Sequence, residues 1–160
     1  MKPAWVPLAE ITLTSTDSEV VFGSIPNTYR DLIVIVDGQS TSGFPISYEI
    51  RANSDTSNYS QVIMQGTGSV SSSTASKIHF ILSGLRSSAI IQVMDYSATD
   101  KHKTFLVRSN AHSASDVDLV EAGAGRWAST SAITSITLKD QDSGWQFAIG
   151  STFSLYGIEA

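Results

Sequence analysis

The chain has 160 residues, of which 41% are hydrophobic and only 16% charged, with 27 serines and no cysteine. That length can bury a core for one domain, expected over residues 1–160, and the missing cysteines exclude disulfides, thiolate nucleophiles and Cys-ligated zinc. A net charge of −5 with ten scattered Lys plus Arg leaves no basic stripe for phosphate backbones or anionic lipid, so nucleic acid and membrane are not expected partners.

The opening segment MKPAWVPLAE is interrupted by Pro3, Pro7 and Glu10, and the longest apolar run, Leu32 to Val36, falls far short of the ~20 residues of a spanning helix. We expect neither a transmembrane helix nor a signal peptide. Synthesis in a cytoplasm followed by exposure outside it suits both expectations, and the absence of cysteine makes the fold indifferent to redox compartment.

Short runs rich in Val, Ile, Thr and aromatics, separated by Ser, Gly, Asn and Asp about every ten residues, predict strands. In chain order these are Leu8 to Thr14, Glu19 to Phe22, Asp31 to Asp37, Ile46 to Ala52, Lys77 to Leu82, Ala89 to Asp95, Thr104 to Asn110, Val117 to Glu121, Ile133 to Leu138 and Thr152 to Ile158. Period-two alternation, as in Phe153, Leu155 and Gly157 against Ser154, Tyr156 and Ile158, marks half-buried antiparallel strands. The runs LIVIV and AIIQVM read as buried on both faces, which central strands of a sandwich require. Between these, at most one short helical turn is expected near Asp55 to Ser60, and the Ser- and Gly-rich stretch Gly66 to Ser76 is expected to be a mobile loop. The fold class is therefore all-β, an antiparallel β-sandwich of jelly-roll type.

Four segments carry a resemblance: VVFGSIPNTYRDLIVIV at Val20 to Val36, YEIRANSDTSNYS at Tyr48 to Ser60, VMDYSATDKHKTFLVRSN at Val93 to Asn110, and RWASTSAITSITL with the closing GSTFSLYGIEA. On these the chain resembles a loose family of small virion proteins of tailed phages, many from marine and cyanobacterial hosts, described as capsid decoration or tail-fibre proteins. The match is weaker over Gly66 to Ser76 and Ala111 to Ala124. The resemblance implies a β-sandwich on the virion surface that oligomerises and binds the major capsid protein or another virion protein. It implies no catalytic residue and no cofactor. A closed ring such as a trimer is the expected assembly.

The residues themselves offer no reaction. His79 falls with Lys77 on the expected polar face of its strand, opposite Ile78 and Phe80; His102 lies between Lys101 and Lys103, and His112 stands near a loop. No HxH or HExxH spacing joins them, so neither a metal site nor a catalytic triad is expected. Asn53, Asp55, Ser57 and Asn58 resemble a calcium loop in composition but lack its central Gly and terminal Glu, and read as a turn. Asp116 and Asp118, with Glu121 nearby, read as a solvated strand edge. Gly123 and Gly125 lack the third Gly of a dinucleotide loop and read as a bulge or tight turn. GxSxG is absent, so the chain is expected to be no enzyme.

Trp127, Trp145, Tyr59 and Tyr96 are the candidate contact residues. Exposed aromatic faces beside Asp, Asn or Gln can stack on sugar rings, whereas buried ones pack cores and subunit contacts. The leading expectation is a head decoration or cement protein. The alternative is a tail-fibre or receptor-binding module recognising host-surface glycans, which requires Trp127 and Trp145 to be exposed around a groove.

Overall fold

A computed structural model describes residues 4–66, 70–112, 118–141 and 144–159. The described residues form twelve strands: β1 (Trp5–Thr12), β2 (Glu19–Phe22), β3 (Asp31–Gly38), β4 (Ile46–Ala52), β5 (Tyr59–Gly66), β6 (Val70–Ala75), β7 (Ile78–Leu82), β8 (Ser87–Met94), β9 (Lys103–His112), β10 (Asp118–Trp127), β11 (Ile136–Asp140) and β12 (Thr152–Ile158). They form an antiparallel β-sandwich of two unequal sheets. The eight-stranded sheet has the order β1-β12-β3-β8-β9-β10-β5-β6, and the four-stranded sheet β2-β11-β4-β7.

Alternation places one side of each strand between the sheets. Phe153 and Leu155 of β12, Leu32, Val34 and Val36 of β3, and Ala89, Ile91 and Val93 of β8 face Val20, Phe22, Tyr48, Ile50, Phe80 and Leu138 across a continuous core. At its centre Phe147 stacks on Tyr48 with ring centroids 4.3 Å apart and meets Phe153 edge-on at 4.9 Å. The run LIVIV is buried at Leu32, Ile33, Val34 and Val36, while Ile35 is half-covered, close to what its composition predicts. AIIQVM is not: Ala89, Ile91 and Val93 are buried, while Ile90, Gln92 and Met94 are half-covered on the outer face.

β5 and β6 are strands that the sequence reading does not contain, and β10 and β11 have other bounds than expected. The stretch expected as a loop from Gly66 contains β6, which pairs with β5 from Gln61↔Ala75 to Gly66↔Val70; positions 67–69 lie outside the described residues. Asp55 to Ser60 forms no helical turn. Asn53, Ser54 and Asn58 take positive φ there, and the chain then enters β5. The strand expected over Val117 to Glu121 runs on to Trp127, with Val117 itself outside the described residues. Ile133 is buried in the connection before β11, its N–H donating to the Tyr96 carbonyl at 2.8 Å.

The glycines of β10 make no bulge. β10 pairs in unbroken register with both β9 and β5. A Cβ on Gly123 would stand 2.2 Å from Gln61 Nε2, and one on Gly125 2.8 Å from Ile78 Cγ1, so Gly123 leaves room for the Gln61 side chain of β5 and Gly125 for the close approach of β10 to β7. We predict that Gly125→Val destabilises the fold by ~2–3 kcal/mol through overpacking. Combined with Ile78→Ala, which opens space at that point, the loss in urea denaturation should be smaller than the sum of the two single losses.

Candidate functional surface

Of the four aromatic candidates, three are interior. Tyr96 is fully buried; its hydroxyl donates to the Pro26 carbonyl and accepts from Tyr29 N–H at 3.3 Å, fastening the turn before β3. Tyr59 and Trp127 stack at 6.4 Å at one end of the sandwich. Tyr59 Oη accepts from Ala52 N–H at 2.8 Å, and burial pushes its pKa to about 12, so it stays neutral near pH 7. Trp127 is 3% exposed, and its Nε1–H donates to Asp55 Oδ2 at 2.8 Å.

Trp145 alone is open, at 39% exposure. It lies in the connection after β11, where Thr41 N–H donates to the Gln146 carbonyl at 2.9 Å. In the pairing of β11 with β4, Ala52, near the Trp127 end, and Tyr48, whose hydroxyl reaches the Gln146 carbonyl, lie at opposite strand ends. The two tryptophans therefore flank no common groove. Phe44, Leu85 and Ile149 are also exposed in the connections on the Trp145 side.

The calcium-like cluster is occupied by turn chemistry. Asn53 Oδ1 accepts from Thr134 and Ser135 N–H at 2.8 and 3.2 Å, and Asp55 Oδ1 from Ser57 N–H at 3.0 Å. Trp127 and Ser57 hold the Asp55 carboxyl below its ordinary pKa, with the indole bond the larger cause.

The polar-face reading of His79 is corrected, because β7 is buried on both faces. The eight-stranded sheet passes the free edge of β7 closely enough for its side chains to complete that edge. His79 N–H donates to Gln61 Oε1 at 3.0 Å, and Ile81 N–H to Ser109 Oγ at 3.2 Å. His79 Nε2 lies 3.4 Å from Glu121 Oε1, and Gln65 Nε2 donates to Glu121 Oε2 at 2.8 Å. Glu121 is thus buried in an interior strand and not at a solvated edge, while Asp118 projects from the other face and pairs with His112. Asp116 lies outside the described residues. His102 remains exposed, but Lys103 beside it is buried, with Nζ donating to the Lys101 carbonyl at 2.9 Å and desolvation lowering its pKa.

The same strands expose what the sequence reading missed. On β5, Gln61 and Gln65 point in while Val62 and Met64 point out at 57% and 58% exposure. On β10, Glu121 points in and Val120 points out. Leu106 of β9 completes the patch. Between the Val62/Met64 ridge and Leu106 runs a groove of about 530 Å³ floored by Ala122 and Ala124, with Gln92 and Arg108 at its side. Gln61, Gln65 and Glu121 thus share the inner face with Tyr59 and Ile63 while Val62, Met64 and Val120 point outward, against the usual polarity of a half-buried strand.

No family model and no curated protein matches the chain. Two solved structures of an alginate lyase, double mutants in complex with an alginate trisaccharide and an alginate tetrasaccharide, align at 5% and 9% identity. Each alignment covers 88% of this chain and 80% or 79% of the lyase, with a TM-score of 0.20, a level at which neither shared fold nor shared activity follows.

The Asp55–Trp127 bond generates a pH prediction. Because the folded pKa of Asp55 lies below its ordinary value of 3.8, the carboxylate contributes stability above that value and loses it as pH falls through the folded pKa. Denaturant titrations from pH 6 downward should show a shallower acid loss in Asp55→Asn than in the natural chain. Parallel pH curves would remove the assignment.

Proposed function

We propose that this chain is a non-catalytic structural protein of a bacteriophage particle, a head decoration or cement protein that seats one sheet face on its neighbours in the shell. The observation that carries the reading is the outward polarity of β5, β9 and β10, whose Val62, Met64, Leu106 and Val120 are 41–61% exposed. Soluble monomers seldom leave so contiguous an apolar patch uncovered. The resemblance of the chain to small virion proteins supplies the setting. A surface poor in charge, with 16% charged residues, suits packing against other subunits.

The strand order supports a finer reading of the fold. Eight strands form the opposed sets β1-β12-β3-β8 and β2-β11-β4-β7, a jelly-roll frame. The hairpins β5–β6 and β9–β10 are additions that extend one sheet, and they carry the whole Val62, Met64, Leu106 and Val120 patch. In this reading the frame supplies stability and the additions supply the contact.

The tail-fibre alternative, a module for host glycans, rests on Trp145 alone, since Trp127 is interior. A cryo-EM map of the particle distinguishes the two. Density for this chain on the head lattice, with the β5/β10 face against a neighbour, is the expected result; density confined to the tail would end the decoration reading. Val62→Asp with Leu106→Asp should weaken binding to particles at least about a hundredfold, given ~1.5–3 kcal/mol for each fully buried aliphatic side chain. Binding to particles unchanged by that double variant would exclude the face as the contact.

A further inference from the structure

The eight-stranded sheet ends in two edges that are treated differently. At β1, Pro7 removes a donor, the register with β12 shifts between Pro7 and Ala9, and Glu10 is exposed. These are standard means of keeping an edge from pairing with another chain. At β6 none of them is present: the strand VSSSTA has no charge and no proline, and its register with β5 is unbroken over six pairs. Ser72, Ser73 and Thr74 are all exposed, including Ser73, which projects to the side opposite Ser72 and Thr74. Among the described residues, β6 is thus open along its far edge and at these positions on both faces.

We propose that β6 pairs antiparallel with β6 of a second copy, joining the two eight-stranded sheets into one. The backbone of an edge strand asks for another strand, and the side chains favour a copy of itself. A two-fold axis places like residues opposite one another, which repels when they are charged and is tolerated when they are not. In an acidic chain of net charge −5, β6 offers an uncharged hydroxyl ladder, in which Ser72 meets Ser72 or Thr74 of the partner copy. About six backbone hydrogen bonds would close the pair. The next strand, β5, carries Val62 and Met64 on the outer face, so pairing sets two apolar patches side by side on one surface. A ring joining β6 to β1 would have to cross the proline and the bulge, so the contact builds a dimer and not the trimer expected from the sequence.

This proposal deepens the reading of the chain as a self-associating shell protein, and the two can fail separately. Analytical ultracentrifugation of the isolated chain at ~100 µM should give a dimer, a range where modest interfaces are populated. Ser72→Lys with Thr74→Lys, at exposed positions, should leave the strand spectrum and melting unchanged and weaken the dimer by roughly tenfold or more. The matching Ser72→Glu with Thr74→Glu chain should be monomeric alone. An equimolar mixture of the two should recover the dimer. A natural chain that stays monomeric at that concentration, or a dimer indifferent to the lysines, overturns β6 pairing. If the dimer survives the lysines but is lost with Val62→Asp, the contact is face to face, and the shell reading stands while the edge proposal falls.

Discussion

The structure turns on how the free edge of β7 is closed. A four-stranded sheet has two open edges, and buried backbone groups there must find partners. β7 finds them in side chains of the opposing sheet: Gln61 bonds His79 N–H through Oε1 and approaches its carbonyl with Nε2 at 3.4 Å, while Ser109 takes Ile81 N–H. This requires β5, β9 and β10 to pass close to β7, and Gly123 and Gly125 supply the room. The Gln61 amide occupies the space a Cβ on residue 123 would need, and Ile78 that of residue 125. Polar residues facing inward on β5 and β10 are therefore a condition of the closure.

That condition explains which parts were legible in the sequence. β3, β8 and β12 belong to the simple two-layer region, where one face is apolar because it meets the core; the alternation of β12 read correctly, while β8, expected to be buried on both faces, is half-covered on its outer one. His79 was assigned to the right face of its strand but to the wrong environment, since alternation cannot reveal that a second sheet folds over an edge. β5 was missed because Gln61 and Gln65 interrupt its inward row, where Tyr59 and Ile63 are buried, so apolar residues fall on both faces. β6 was missed for a different reason: no side of it near Ser72 to Thr74 is buried, so nothing in its sequence had to be apolar. Hydroxyl-rich strands of that kind are indistinguishable from loops by composition.

The candidate contact residues show the same division. Trp127, Tyr59 and Tyr96 were singled out as large aromatics beside polar residues, and each uses that polar neighbourhood for an interior bond: Asp55 for Trp127, the Ala52 backbone for Tyr59 and the Pro26 carbonyl for Tyr96. The aliphatics that are exposed, Val62, Met64, Leu106 and Val120, are ordinary in type and unusual only in direction. Direction depends on strand register, and register on the β7 closure, so these residues could not be picked out before the fold was known.

Inverted strands carry a cost that bears on what they are for. Glu121 is buried with Gln65 in hydrogen-bonding geometry and His79 Nε2 3.4 Å away, and among the described residues Glu121 Oε1 and His79 Nδ1 have no hydrogen-bond partner. Each such group costs on the order of 1–3 kcal/mol, more where it is charged. The outer aliphatics forgo roughly 25 cal/mol for every Å² left in water. The inward polar groups cannot be exchanged for aliphatics without leaving His79 N–H without its Gln61 partner, whereas the outer aliphatics answer to no such need within the chain. The arrangement present becomes favourable once the outer face is covered, because burial of Val62, Met64, Leu106 and Val120 then offsets the interior penalty. On the proposed reading, stability of the sandwich and its association are one balance, divided between the two faces of β5 and β10.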